Sequence, residues 1–333
     1  MVRTIVALAI RVRAEQGLEA REDALFMDWL LARNVRVRSA SRQLGFEELE
    51  AWLSTDTGSI ASSLGTRYVE ALAGELEKDE PATFDMDVAM QRADDVFSAQ
   101  MSVGEEPRRA TWPIVVRFMG LRQPGAVRAA WQVAVSNEGL ATDVEISSFV
   151  NAFATRLLHD LIDNSSKVDV HEAFPELMKL VVARIESLDD SALQRLVELA
   201  TAWSREDALA RHACDVVSQL RRANIAKATA VLTTWAPRVI SDLPLPCLEM
   251  LTELLPGEDD SLKVAATNAV NTILNIGSVN DAMASRYSAF VRRLSSSSWD
   301  NAPFKGHLDS ALSNLVASLI PKYPMQSLSI GIT

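Results

Sequence analysis

The chain has 333 residues, 48% hydrophobic and 23% charged, the balance of a globular protein with length for about two domains. A formal net charge of -11 opposes attraction of the whole protein to nucleic acid or an anionic membrane, so either would need a local basic patch. Two cysteines imply no disulfide framework and fit a reducing, cytoplasmic setting, and the lack of a run of about 18 apolar residues predicts no transmembrane helix.

The first residues, "MVRTIVALAIRVRAEQ", set a short apolar run directly against Arg-Val-Arg with no cleavage-like site. That predicts an amphipathic first helix and not a secretory signal. Residues 1–45 hold eight arginines against five acids, while the rest of the chain carries the acidic excess. Such asymmetry marks an end that meets an acidic partner or one whose salt bridges lie within the fold, and the second reading is preferred.

Within "ARNVRVRSASRQLGFEELEAWL" (32–53), Ser41 and Gly45 have the small-x-x-x-Gly spacing that lets two helices cross tightly. A DNA-reading version needs a neutral or basic second helix, because that helix enters the major groove. Here the second helix would present Glu47, Glu48 and Glu50 to phosphates. The segment is therefore expected to pack through Trp52 and Leu53, and not to bind duplex DNA.

Further along, "STDTGS" (54–59), "KDEPATF" (78–84), "SVGEEP" (102–107) and "LRQPG" (121–125) read as breaks between helices. Between the last two, "EEPRRATWPIVVRFMGLRQPGAVRAAW" gathers Arg108, Arg109, Arg117, Arg122 and Arg128 against two edge acids, Glu105 and Glu106. Guanidinium forks grip carboxylate or phosphate in pairs of hydrogen bonds, so these five are the candidate interaction residues. The competing and preferred reading pairs them with acids of the C-terminal half. The loop "SNEGLATD" (136–143) is the expected boundary between a helical domain over 1–135 and a helical-repeat-like domain over 140–321, with a tail over 322–333.

In "DVEISSFVNAFATRLLHDLID", Ile146, Phe149, Val150, Phe153, Ala154, Leu157, Leu158 and Leu161 recur at helical spacing. Leu262, Ala265, Ala266, Ala269, Val270, Ile273 and Leu274 repeat the stripe, and so do Leu312, Leu315, Val316, Leu319 and Ile320. Thr142 with Glu145, Ser204 with Asp207 and Ser278 with Asp281 have capping-box spacing, and Gly277 stands where a left-handed helix stop is expected. "NVRVR" and the terminal "MQSLSIGIT" alternate too weakly to support a sheet. "DSALQRLVELATAW" (190–203) resembles "DSALSNLVASLI" (309–320) at an offset near three periods of roughly 40 residues, and "LATAW" is echoed by "VLTTW". The expected fold is an all-α multi-helix array, with an irregular α-solenoid of HEAT- or armadillo-like helix pairs in the C-terminal half preferred to a compact bundle.

The sequence contains no phosphate-cradling glycine loop and no G-x-S-x-G elbow. Of four histidines, His159 falls on a polar helix face with Glu145, Ser148 and Thr155, while His212 falls on an apolar seam as a hydrogen-bonded core residue. His212 and Cys214 point too far apart around a helix to share a metal. His171 reads as part of a helix start, and His307 has no evident partner. No cofactor, metal or catalytic residue is expected. The expected function is a non-catalytic interaction or scaffold subunit that binds a protein. Its rival is a nucleic-acid-associated helical accessory to a separate NTPase or nuclease, acting through the arginines at 108–128. An enzyme with a carboxylate site assembled by folding is a third reading.

Overall fold

A computed structural model describes residues 63–77, 85–163, 167–257, 259–277, 279–296 and 302–321. The expected first helix, the 32–53 segment with Trp52 and Leu53, the breaks at 54–59 and 78–84, and the 322–333 tail lie outside them. Among the described residues the protein is all-α, with thirteen α-helices and no strand. None of those helices is long and apolar enough to cross a membrane. The chain forms two compact units, Met1–Leu180 and Val181–Thr333.

The first unit contains α1 (Ser63–Leu76), α2 (Met86–Val103), α3 (Glu105–Phe118), α4 (Pro124–Ser136), α5 (Asp143–Asp160) and most of α6 (Val170–Arg184). Short polar residues cap α2, α5 and α6, at Asp85, Thr142 and Asp169. Asp85 accepts from the Asp87 and Val88 amides, and Pro124 opens α4 where its missing N–H costs nothing. At α5 the capping box forms in both directions: Glu145 N donates to Thr142 Oγ1 at 3.3 Å, and Thr142 N donates to Glu145 Oε2 at 2.8 Å. The break read at 102–107 narrows to Gly104 between α2 and α3. That at 121–125 covers the end of the turn into α4, which starts at Pro124, and "SNEGLATD" spans the turn joining α4 to α5.

An aromatic chain fills the core of this unit. Phe97 of α2 meets Phe118 of α3 edge-on at 5.0 Å, and Phe149 of α5 lies 6.2 Å from Trp112 and 5.8 Å from Phe153. Trp131 of α4 stacks on Phe153 at 5.6 Å. Trp112 also donates Nε1–H to the Glu145 carbonyl at 2.8 Å, which satisfies its polar edge and ties α3 to the first turn of α5. Besides chain neighbours, next-but-one helices pack together: α1 on α3, α2 on α4 and α3 on α5.

The second unit contains α7 (Asp190–Trp203), α8 (Ala210–Ala223), α9 (Ile225–Thr233), α10 (Leu245–Leu254), α11 (Asp260–Leu274), α12 (Asp281–Ser296) and α13 (Ala302–Leu319). Asp189, Asn224 and Asp259 cap α7, α9 and α11 through their side-chain oxygens. The next-but-one order holds here too, as α7 with α9, α8 with α10, α9 with α11, α10 with α12 and α11 with α13. Trp203 and Trp235 are both fully buried, one ending α7 and the other just past α9, so the "LATAW" and "VLTTW" echo marks similar places on two helices that touch.

The α5 stripe is buried through Leu157, and all seven α11 stripe residues are buried. Several local readings are corrected. Ser204 does not start a helix: it is the C-cap of α7, its hydroxyl donates to the Thr201 carbonyl, and α8 begins only at Ala210. At α12 the capping oxygen comes from Asn280, which accepts from Met283 N at 2.9 Å; Ser278 lies outside the described residues. Gly277 is not a left-handed stop, since α11 already ends at Leu274 with Asn275 as its cap. Asp309 sits inside α13, so the two "DSAL" stretches share a seam but not a helix start. Ile320, expected on that seam, lies past the helix end and is exposed.

Candidate functional site

The five candidate arginines occupy α3, α4 and the turn between them, and their environments differ. Arg108 is buried. Arg109 pairs with Glu105 one turn earlier on α3 at 2.5 Å. Arg117 forks onto Glu77, just past α1, with Nε and Nη2 each 2.5 Å from a carboxylate oxygen. Arg128 of α4 donates to Glu172 of α6 at 2.7 Å. Arg122, in the turn, is exposed and has no ion-pair partner among the described residues.

The structure brings two of the five, Arg117 and Arg122, to one groove of about 740 Å³ that α3 and α5 line from either side. Val116 and Met119 give it apolar wall, while Ser148, Asn151, Thr155 and His159 are successive turns of the α5 face. That is the polar face read from the sequence, and His159 is exposed on it. Glu77, Asp160 and Asp163 also line the groove, so its fixed charges nearly balance. The Arg117 hydrogen bonds hold the Glu77 carboxyl below the ordinary glutamate value, and the same bonds raise Arg117.

Under the groove lies a buried ion pair that sequence reading missed. Arg156 is 7% exposed and Asp160 3%, with Arg156 Nε 3.0 Å from Asp160 Oδ1. Arg156 Nη1 also donates to the Leu121 carbonyl at 2.5 Å, and Asp160 Oδ2 accepts from Val168 N at 2.9 Å. One side-chain pair therefore fixes the turn carrying Arg122, the end of α5 and the approach to α6. The available signal was positional: 149, 153, 156 and 160 continue a single helical stripe, on which two opposite charges stand one turn apart.

Elsewhere, His212 is half-buried with its ring 5.8 Å from Trp203, and Cys214 is buried. His171 lies at the start of α6, where its amide donates to Asp169 at 2.9 Å, and His307 is exposed on α13. Among the described residues no three His, Cys, Asp or Glu side chains converge as metal ligands.

No protein-family model matches the chain, and no curated protein matches it. Among solved structures it is similar to the crystal structure of an engineered protein, at 16% identity and a TM-score of 0.31, over 92% of this chain and 82% of that one. That likeness is too weak to carry an argument about fold or function.

Proposed function

We propose that the protein is a non-catalytic helical scaffold subunit, an irregular α-solenoid within each unit, that binds a protein partner through exposed helix flanks. The observation that carries this reading is the next-but-one packing in both units together with its polar cross-links. Arg117 to Glu77 spans 40 residues, Arg128 to Glu172 spans 44, Lys227 to Gln194 spans 33 and Arg293 to Glu253 spans 40. In each case the link runs from one helix or its end to the helix two further on. The spans cluster near the roughly 40-residue period of stacked helix pairs, in which each pair buries its seam on its neighbours and leaves its flanks exposed.

The proposed contact surface is the first unit's groove at Arg122 and His159. A protein partner is favoured over a nucleic-acid backbone because Arg109, Arg117 and Arg128 are each already engaged by a glutamate of this chain. Partner capture by the tagged full chain from its native host, with and without nuclease, tests this reading. The expected result is a stoichiometric protein that survives nuclease and is lost with Arg122→Glu while the melting temperature stays within a degree or two. Capture abolished by nuclease, or salt-sensitive retention on DNA that depends on Arg122, refutes it in favour of the nucleic-acid accessory.

A further inference from the structure

The second unit contains a separate groove, of about 660 Å³, lined by Arg205, Glu206, Asp207, Arg238, Ser241, Asp242 and Arg286. It is built from the α7–α8 turn, the α9–α10 connection and α12, and no part of the scaffold reading uses it.

Its three arginines are not equivalent. Arg286 is neutralised by a direct ion pair with Asp207. Arg238 has no carboxylate within ion-pair distance among the described residues; its Nη1 makes two long contacts, 3.4 Å to the Ser204 carbonyl and 3.3 Å to the Ser204 hydroxyl. Arg205 is exposed, and no described acid pairs with it. Burial first, and then the charge of Arg205, hold the Arg238 guanidinium below its ordinary value. Two guanidinium groups thus repel each other in one concave site, and each has N–H donors to spare, the electrostatic condition that an oxyanion relieves.

We propose that this groove binds a phosphate group, with Arg205 and Arg238 as its paired guanidinium clamp. Two positive charges match a phosphate dianion, and the fork geometry of each arginine suits its tetrahedral oxygens. The acids on the rim define the rest of the ligand. Asp207 is spent on Arg286, and Asp242 accepts from Ser241 Oγ at 3.2 Å, which leaves Glu206 and Asp242 facing the groove with negative charge. A bare anion meets that charge unfavourably. A phosphate ester with an ammonium or hydroxyl group beside it pairs with both halves of the site, so the ligand class is a small phosphate monoester with an adjacent hydrogen-bond donor.

The test is calorimetric titration of the full chain at low ionic strength with inorganic phosphate and with phosphoethanolamine, each against chloride at matched ionic strength. Saturable binding is expected for both probes and not for chloride, with phosphoethanolamine the tighter by about tenfold. Arg205→Gln, at an exposed unpaired side chain, is expected to weaken both by at least about tenfold, whereas Arg211→Gln, on an exposed arginine of α8, leaves them unchanged. Arg238→Gln also removes the contacts to the end of α7, so Arg205→Gln is the decisive variant. Phosphate binding equal to or tighter than that of phosphoethanolamine overturns the assigned ester class. Absence of saturable binding by either probe, or binding undiminished in Arg205→Gln, overturns the site itself.

Discussion

Replacing Arg156 with methionine removes one member of the buried pair under the first groove and leaves the Asp160 carboxylate enclosed, with the Val168 amide as its remaining local donor. Breaking a buried pair on one side costs about 3–5 kcal/mol, because the uncompensated charge keeps its desolvation penalty. Two further losses act in the same direction: the Leu121 carbonyl loses its 2.5 Å donor, and the turn carrying Arg122 loses its anchor. For a unit of this size each kcal/mol moves the midpoint by about 2–4 °C, so the unit's melting transition should fall by about 6–20 °C. Calorimetry that resolves the two units is the assay. The double variant Arg156→Met/Asp160→Leu replaces both charges with apolar volume and should recover most of the loss. A single-variant shift under about 2 °C, or a double variant no better than the single, refutes the reasoning.

Thr142→Ala removes the hydroxyl half of the α5 capping box and should cost about 1 kcal/mol in chemical denaturation of the first unit, with Thr142→Ser close to neutral. The folded-state value of Glu77 is depressed, so its pair with Arg117 contributes stability above the ordinary glutamate pKa and loses that contribution as pH falls through the folded value. Acid titration of thermal stability should therefore be less steep in Arg117→Gln. The effect should be small and salt-sensitive, since Arg117 and Glu77 are 38% and 45% exposed. A hydrogen bond with Cys214 first, and then burial, push the Cys247 thiol up, and both cysteines are buried. A thiol-specific disulfide reagent at neutral pH should label them slowly in the native protein and fast in denaturant; prompt labelling of the native chain contradicts that burial.

What the sequence disclosed was mostly local. The α5 and α11 seams were legible because helical burial repeats every three to four residues and needs no knowledge of the partner surface. The Thr142 box was legible for the same reason. Ser204 misled because a Ser-x-x-Asp spacing has the same form whether the hydroxyl turns toward a following helix or back onto the carbonyls of a preceding one. The Asp309 stretch misled because a leucine seam recurs in any amphipathic helix, whatever its starting point. Arg156 and Asp160 escaped because charged residues on a stripe read as its polar border until the surrounding turns enclose them. The partners of Arg117 and Arg128 were illegible in principle: each lies about 40 residues away in the chain, and only the packing of next-but-one helices brings them into contact.

A photo-crosslinking amino acid placed at position 122 of the full chain in its native host tests most directly whether a protein meets the groove beside Arg122. The predicted result is one discrete covalent adduct that protease digestion removes and nuclease leaves intact. An adduct sensitive to nuclease, or no adduct where the folded protein is abundant, contradicts it.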